Sequence, residues 1–471
     1  MSATTAQIVR YSSLGFILLA LALIIAFGQI PAVISLAILP FIGLYFYLLF
    51  RYPIIGVYTC LLFSFIANGL SRYIPGPLGL TIDLFLVLTL IATFFKRFDN
   101  KNWQEFQNPL VWVALFWVLY CVFEIFNPEV VSYEAWAYAV RSPAFYMLFT
   151  LLLGLIYFKD IKEAERLVHL WFAFSVLAAL YSFKQFYFGL DAAEKEWLLH
   201  NASTHLLFGN LRVFSFYSDA AQFGAAMAHT ALAAVILALG KQSFRRRFFY
   251  ILTAAVCLYA MSLSGTRGAL FILLTGGMVY LILCKNYKVL IPGMLILGCA
   301  FFLLKFTYVG HSNYQIQRMR SAFNLSDPSF QVRINNQIKL QEYLESRPFG
   351  GGIGSAGYWG LRFSPDTFLA KTPVDSWYVK LWAETGVIGI TLYLLITLFI
   401  LIFLAVRLWT FQHSPQRQLL LALFAGLAGI TVANYGNQVL GQMPTSLLFY
   451  LSIAIIYTLT SASSGKRHLL Q

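Results

Sequence analysis

The chain has 471 residues, of which 59% are hydrophobic, 17% aromatic and only 11% charged, a balance that excludes an ordinary soluble domain. Its formal net charge of +14 is spread over short connections between apolar runs, so no folded basic surface suggests a nucleic-acid partner. An alternating strand pattern is absent, which leaves helices as the way to satisfy the backbone in lipid.

In chain order, apolar runs long enough to cross a bilayer fall near 12–28, 31–50, 54–70, 80–95, 109–126, 139–158, 167–187, 219–239, 248–264, 268–284, 288–305, 386–406, 418–433 and 443–461. The first two are separated only by Gly28 to Pro31. The expected fold is an all-α, polytopic transmembrane helical bundle of about 13 to 14 spans. It divides into helices within 1–305, one large loop at 306–377 and C-terminal helices within 378–471. The first run lacks an Ala-x-Ala site and leads into further spans, so no cleavable signal is expected.

Basic residues alternate between connections. Arg10, Arg51, Lys96, Arg97, Lys101, Lys159, Lys162, Arg166, Lys241, Arg245 to Arg247, Lys285, Lys288, Arg407, Arg417, Lys466 and Arg467 fall on every second connection, 18 of the 33 basic residues. Positive charge stays inside, so both termini are expected in the cytoplasm and the 306–377 loop outside, with membrane lipids as constant partners. Cys60, Cys121, Cys257, Cys284 and Cys299 lie within or at the ends of apolar runs, so neither a disulfide nor a metal role is expected.

Arg72, Asp83, Glu124, Arg141, Lys184, Arg212, Asp219, Arg267 and Lys305 lie at the outer ends of spans, while the span middles are almost free of charge. An ion-coupled transporter or a flippase for a charged lipid needs charge inside the membrane; an enzyme of the outer face needs it only there. The enzyme pattern is the one present, with a non-enzymatic lipid or polysaccharide transporter as the alternative.

Three outer stretches carry the chemistry. Asn210 to Gly224 contains Arg212 and Asp219 ahead of the eighth run. Ser262 to Ala269 is a tight turn that keeps Arg267 between small residues, against the charge rule for that side. Arg267 reads either as an anion-binding fork beside a helix N-terminus or as a helix-end residue reaching to headgroups. In the long loop, Ser326-Asp327-Pro328 is a helix start, with Asp327 as cap and Pro328 at the first position. Ile334, Ile338, Tyr343 and Leu344 recur at helical spacing, so an amphipathic helix is expected over 330–345, with Arg333 and Gln337 one turn apart on its polar side. The following Gly350 to Gly357 run lacks the Lys of a phosphate loop and reads as a flexible lid. Asp375 precedes the next span and reads either as a functional carboxylate or as its helix cap.

At these residues the chain resembles the bacterial O-antigen ligase and O-antigen polymerase family. The likeness rests on Ser264-Gly265-Thr266-Arg267-Gly268, on Arg333, on Arg347-Pro348-Phe349-Gly350-Gly351-Gly352-Ile353-Gly354, and on Asp375-Ser376-Trp377-Tyr378 through Gly389. The resemblance implies a glycosyltransferase of the cytoplasmic (inner) membrane that takes its glycan from a polyprenyl-diphosphate donor and passes it to a glycan acceptor. It also implies a flippase and a chain-length regulator as possible partners, and calls for no cofactor and no metal. It implies that Arg267 and Arg333 bind the diphosphate, and Arg212 resembles a further family element; on chemistry alone Asp375 reads as the base for the acceptor hydroxyl, Gln337 and Arg347 as substrate contacts, and Trp377 and Tyr378 either as platforms for sugar rings or as interfacial anchors. Ligases of the family carry His-Asn where this chain has Asp375-Ser376, a departure that favours a polymerase over a ligase.

The charge reading is checked by single cysteines in a Cys-free background. Ser312→Cys is expected to react with a membrane-impermeant thiol reagent in intact cells, and Ser243→Cys only after permeabilisation. The reverse pattern inverts the topology.

Overall fold

The computed structural model describes residues 29–98, 107–207, 209–324, 326–411 and 416–468; the apolar run at 12–28 lies outside them. By packing, the chain divides into a small unit, 1–57 with 88–101, and a large one, 58–87 with 102–471. Among the described residues eight helices are long and apolar enough to cross a membrane and five shorter ones are apolar, so the protein is an all-α polytopic membrane protein.

The first three helices are α1 (Gln29–Arg51), α2 (Ile54–Leu70) and α3 (Gly79–Phe98). In the small unit, Phe50 packs against Phe95 and the Lys96 ammonium donates to the Arg51 carbonyl at 3.2 Å. In the large unit come α4 (Pro109–Phe123), α5 (Tyr133–Ala139) and α6 (Tyr146–Tyr157). The run expected at 139–158 is interrupted by a wide π turn at Arg141–Phe145, where Pro143 brings no N–H to a helical ladder. Then follow α7 (Ile161–Tyr187), α8 (Ala192–His205), a two-residue hairpin of β1 (Leu206–Leu207) and β2 (Asn210–Leu211), and α9 (Ala220–Ala238). The bundle continues with α10 (Phe244–Leu263), α11 (Gly268–Leu283) and α12 (Tyr287–Phe306).

Four short elements, α13 (Tyr314–Arg320), α14 (Pro328–Leu344), α15 (Gly357–Phe363) and α16 (Phe368–Lys371), occupy the stretch before α17 (Trp377–Thr410). The last helices are α18 (Arg417–Ala433) and α19 (Thr445–His468).

The centre of the large unit is α9 and α18, both buried along almost their whole length. Small residues make this possible. A Cβ on Gly429 of α18 would lie 2.7 Å from the Ile272 carbonyl oxygen of α11, so the two backbones approach as closely as small-residue membrane packing allows. That contact sets the start of α11 beside the end of α18. In contrast, α12 has no buried residue among those described.

The 34-residue α17 is not one straight rod. Trp377 and Tyr393 are 16 residues apart, which is ~24 Å along a straight helix. Yet the Trp377 indole donates to the Tyr393 hydroxyl at 3.0 Å, a separation that two aromatic side chains cannot bridge from that distance. The helix turns back at Gly386, where φ is 64° and ψ is −167°. The segment 377–385 therefore runs beside the first turns of the segment that follows, and the span expected from residue 386 begins at the break. Only glycine fits there, since a Cβ would lie 2.1 Å from the Pro348 carbonyl oxygen.

Gly386→Ala is expected to destabilise the protein by about 1–3 kcal/mol. Gly298→Ala on α12, where a Cβ meets nothing within 4 Å, is the neutral control. Thermal unfolding in detergent checks this, and equal melting temperatures for the two variants refute the strained turn.

Candidate active site

A cavity of about 380 Å³ opens where the starts of α11, α14 and α17 meet the end of α18. Its charged lining is Arg267, Arg333 and Asp375, with Gln337, Asn336 and Ser376 as neutral polar groups. Phe271, Phe330, Val379 and Val432 supply an apolar wall.

Arg267 leaves a turn that local chemistry makes tight. Gly265 takes φ 60°, the Ser264 hydroxyl donates to Thr266 Oγ1 at 2.9 Å, and the Thr266 hydroxyl donates to the Ala220 carbonyl at 2.7 Å. The Arg267 guanidinium meets Asp327 Oδ1 at 2.7 Å, the two side chains only 16% and 12% exposed. It also lies 3.4 Å from the Ser321 hydroxyl. A headgroup-seeking arginine would point outward, and this one turns into the protein.

Asp327 does two things at once. As the sequence suggests, it caps α14, accepting from the backbone N–H groups of Ser329 at 3.0 Å and Phe330 at 3.3 Å, with Pro328 in the first helical position. Burial by itself would raise its carboxyl; the Arg267 guanidinium and the two N–H groups outweigh burial and hold it below the ordinary carboxylate value. The cap thereby ties the loop helix to the bundle.

Arg333, in the second turn of α14, reaches Asp375 Oδ2 with its Nε at 3.2 Å, with 34% and 56% of the two side chains exposed. Asp375 is not the cap of α17. That role falls to Ser376, whose Oγ accepts from the Val379 N–H at 3.4 Å while its hydroxyl donates to the Asn434 carbonyl at 3.1 Å. The Trp377 N–H also donates to Asn434 O, at 3.0 Å, and the Gln438 amide holds the Val374 carbonyl. The connection between α18 and α19 thus fixes the backbone on both sides of Asp375 and leaves its carboxylate to the cavity.

Of the residues expected to touch substrate, Gln337 lines this cavity and four others stand elsewhere. Arg212 donates to the carbonyls of Ser264 at 2.9 Å and Thr204 at 2.8 Å and to Thr266 Oγ1 at 3.2 Å, so it braces the Arg267 turn from behind. Burial, then the nearby Arg318, pull its pKa down to about 10. Arg347 pairs with Glu129 at 3.1 Å and lies over the Tyr343 ring. Trp377 is fully buried, and the Tyr378 hydroxyl is committed to the Thr431 carbonyl at 2.6 Å. None of these four lines the cavity.

The glycine run is not a lid. Residues 350–356 are buried, Gly350 packs against the backbone at Gly386, and the Gly354 N–H donates to the buried Glu384 carboxylate at 3.2 Å. Its glycines serve close packing against the α17 turn rather than motion.

Sequence reasoning passed over Arg318. Its side chain lies 3.4 Å from where a Cβ on Gly265 would stand, and its buried Nε has no hydrogen-bond partner among the described residues. Burial first, then the Arg267 charge, lower its pKa. An arginine in a polar loop looks like any solvated cation in a sequence, and only the turn it packs against distinguishes it.

The fold and this cavity define a polytopic helical membrane protein with a cationic site at one end of its bundle. Residues 252–394 match the family model described as O-antigen ligase, a segment that contains Arg267, Arg333 and Asp375. The match makes this segment similar to the O-antigen ligase family over 143 of the 471 residues. No curated protein matches the chain.

The geometry separates two kinds of arginine. Arg267→Lys and Arg333→Lys are expected to weaken binding of a diphosphate ligand by about tenfold or more, since lysine lacks the planar fork, while melting temperature changes little for Arg333→Lys. Arg212→Lys is expected to lower the melting temperature, because three acceptors lose a donor. Ligand titration beside thermal unfolding checks both, and a full-affinity Arg333→Lys removes Arg333 from the site.

Proposed function

We propose that the protein polymerises oligosaccharide repeat units carried on polyprenyl diphosphate, without a metal ion, at the outer face of the bacterial cytoplasmic membrane. The supporting observation is that two guanidinium groups and one carboxylate from three separate helix starts share one cavity. Nucleotide sugars are absent outside the cytoplasm, so a glycosyl donor there has to travel with the membrane, and a lipid diphosphate does.

In this reading the donor diphosphate binds Arg267 and Arg333 through charge-assisted hydrogen bonds. The acceptor hydroxyl attacks the anomeric carbon of the donor sugar. The new carbon–oxygen bond forms as the bond to the diphosphate breaks, and the electron pair leaves with the diphosphate, where the two guanidinium groups neutralise it. The hydroxyl proton passes to Asp375.

The Asp375 carboxylate is paired with the Arg333 Nε at 3.2 Å. A diphosphate draws Arg333 away, so donor binding and release of the base become one event. A ligase that transfers the glycan to a lipid core or a protein uses the same chemistry with another acceptor. The Asp375-Ser376 pair, in place of the ligases' His-Asn, favours the polymerase.

Purified protein in nanodiscs, given only polyprenyl-diphosphate-linked repeat units, is expected to form a ladder of longer lipid-linked glycans that EDTA does not suppress. Asp375→Asn is expected to cut the rate by about 10²–10⁴-fold while donor binding persists. A ladder that Asp375→Asn makes at the normal rate removes the base assignment. Product that forms only when a second acceptor class is supplied selects the ligase.

A further inference from the structure

The glycine run that closes on the α17 turn also docks α15 against α5. A Cβ on Gly354 would lie 2.6 Å from the Ala135 carbonyl oxygen of α5, and one on Gly352 would lie 2.5 Å from Val130 Cγ2. The two short helices then meet through aromatic rings. Tyr138 of α5 stacks on Trp359 of α15 at 4.9 Å and 14°, and on Phe363, one turn further along α15, at 5.7 Å and 16°. Trp359 and Phe363 are themselves near parallel, 6.1 Å apart at 22°. The three rings share one direction, and close main-chain packing holds them there.

Polar groups surround these faces without being used inside the protein. Neither the Trp359 indole N–H nor the Tyr138 hydroxyl has a hydrogen-bond partner among the described residues. The Arg362 guanidinium lies within 6.0 Å of all three ring centres, and its one hydrogen bond is a long one, 3.5 Å, to the Tyr358 hydroxyl. Arg141, 5.4 Å from the Tyr138 ring, is by contrast committed to Asp83 of α3. Tyr358 stands edge-on to Trp359 at 4.9 Å and is 65% exposed, so the group opens to the outside. Ring faces rimmed by N–H and O–H donors are complementary to a pyranose, which has a C–H face and a rim of hydroxyls.

The group also lies close to the proposed chemistry. A Cβ on Gly357, the first residue of α15, would lie 3.6 Å from Val374 Cγ2, and Val374 directly precedes Asp375. One peptide step and two residues of helix then put the Trp359 backbone within roughly 17 Å of the Asp375 backbone. An extended glycan covers that distance with a few sugars.

We infer that the α5–α15 face is a subsite for the body of the acceptor glycan. With the acceptor's reacting hydroxyl at Asp375, a sugar further along its chain packs against the rings of Trp359 and Tyr138, and its hydroxyls meet the indole N–H, the Tyr138 hydroxyl and Arg362. The inference rests on the reading of the charged cavity as the site of glycosyl transfer. Aromatic residues at the end of a span also serve as membrane anchors. An anchor presents its ring to headgroups, whereas Trp359 and Phe363 turn theirs to Tyr138.

Hydroxyl-radical footprinting of the unaltered protein in nanodiscs separates the two roles, because lipid is present in every sample. The probe is a lipid-free oligosaccharide of several repeat units. It is expected to cut oxidation of Tyr358, Trp359 and Phe363 at least threefold and to leave Tyr308, 81% exposed in the same loop, unchanged. Oxidation at Trp359 that is the same with and without the oligosaccharide overturns the inference; if it is low in both samples, the rings belong to the bilayer.

Calorimetry with the same probe compares two variants. Trp359→Phe keeps a ring face and Trp359→Leu keeps only apolar bulk, so affinity is expected to fall about tenfold for Leu and no more than about threefold for Phe. A Trp359→Leu protein with an unchanged melting temperature and full affinity refutes the subsite alone, provided the parent protein makes glycan product. If the parent makes none from any acceptor, the glycosyl-transfer reading fails and takes the subsite with it. Should Trp359→Leu misfold, the footprint and Arg362→Gln, at an exposed position, decide: Arg362→Gln is expected to weaken the oligosaccharide at least threefold, and full affinity counts against the subsite.

Discussion

The contact between Arg267 and Asp327 is the constraint on which the site depends. A guanidinium at the end of a membrane helix and largely withdrawn from water requires a carboxylate or an unfavourable desolvation, and a helix that starts in a loop requires a cap. One aspartate meets both needs. Because it does, the position of α14 is set by the start of α11, and Arg333, two turns into α14, arrives opposite Asp375 without any further device.

The other half of the site is set by backbone rather than charge. The Asn434 carbonyl accepts from both the Ser376 hydroxyl and the Trp377 N–H, while Gly386 lets α17 reverse beneath the loop. The buried stretch 350–356 packs against that reversal and meets Glu384 through a backbone N–H. Loop and span are therefore one packed body near the cavity, and the glycines that look mobile in the sequence are where main chains touch.

Much of this was legible in the sequence, for a physical reason. Hydropathy marks spans because lipid tolerates little else, and Asp327-Pro328 announces a helix start because few other residue pairs satisfy one. Arg267 stood out because a positive charge on that turn has no topological purpose, and Arg333 and Gln337 because they recur one turn apart on the polar side of a helix. Arg212, Arg347, Trp377 and Tyr378 were equally conspicuous, yet they turn toward backbone carbonyls, Glu129 and the α17 turn. A sequence records that a guanidinium or indole is present; which way the Trp377 and Tyr378 rings face depends on the reversal at Gly386, and Arg318 was overlooked because the Gly265 turn it packs against is distant in the chain.

Three helices begin at the charged cavity: α11 at Gly268, α14 at Pro328 and α17 at Trp377. Each brings the positive end of its backbone dipole near this cavity. Arginine does not lose its proton in the biological range and a peptide dipole does not titrate at all. The attraction of this space for anions is thus a fixed property of how the chain is folded, the same in acid or alkaline surroundings.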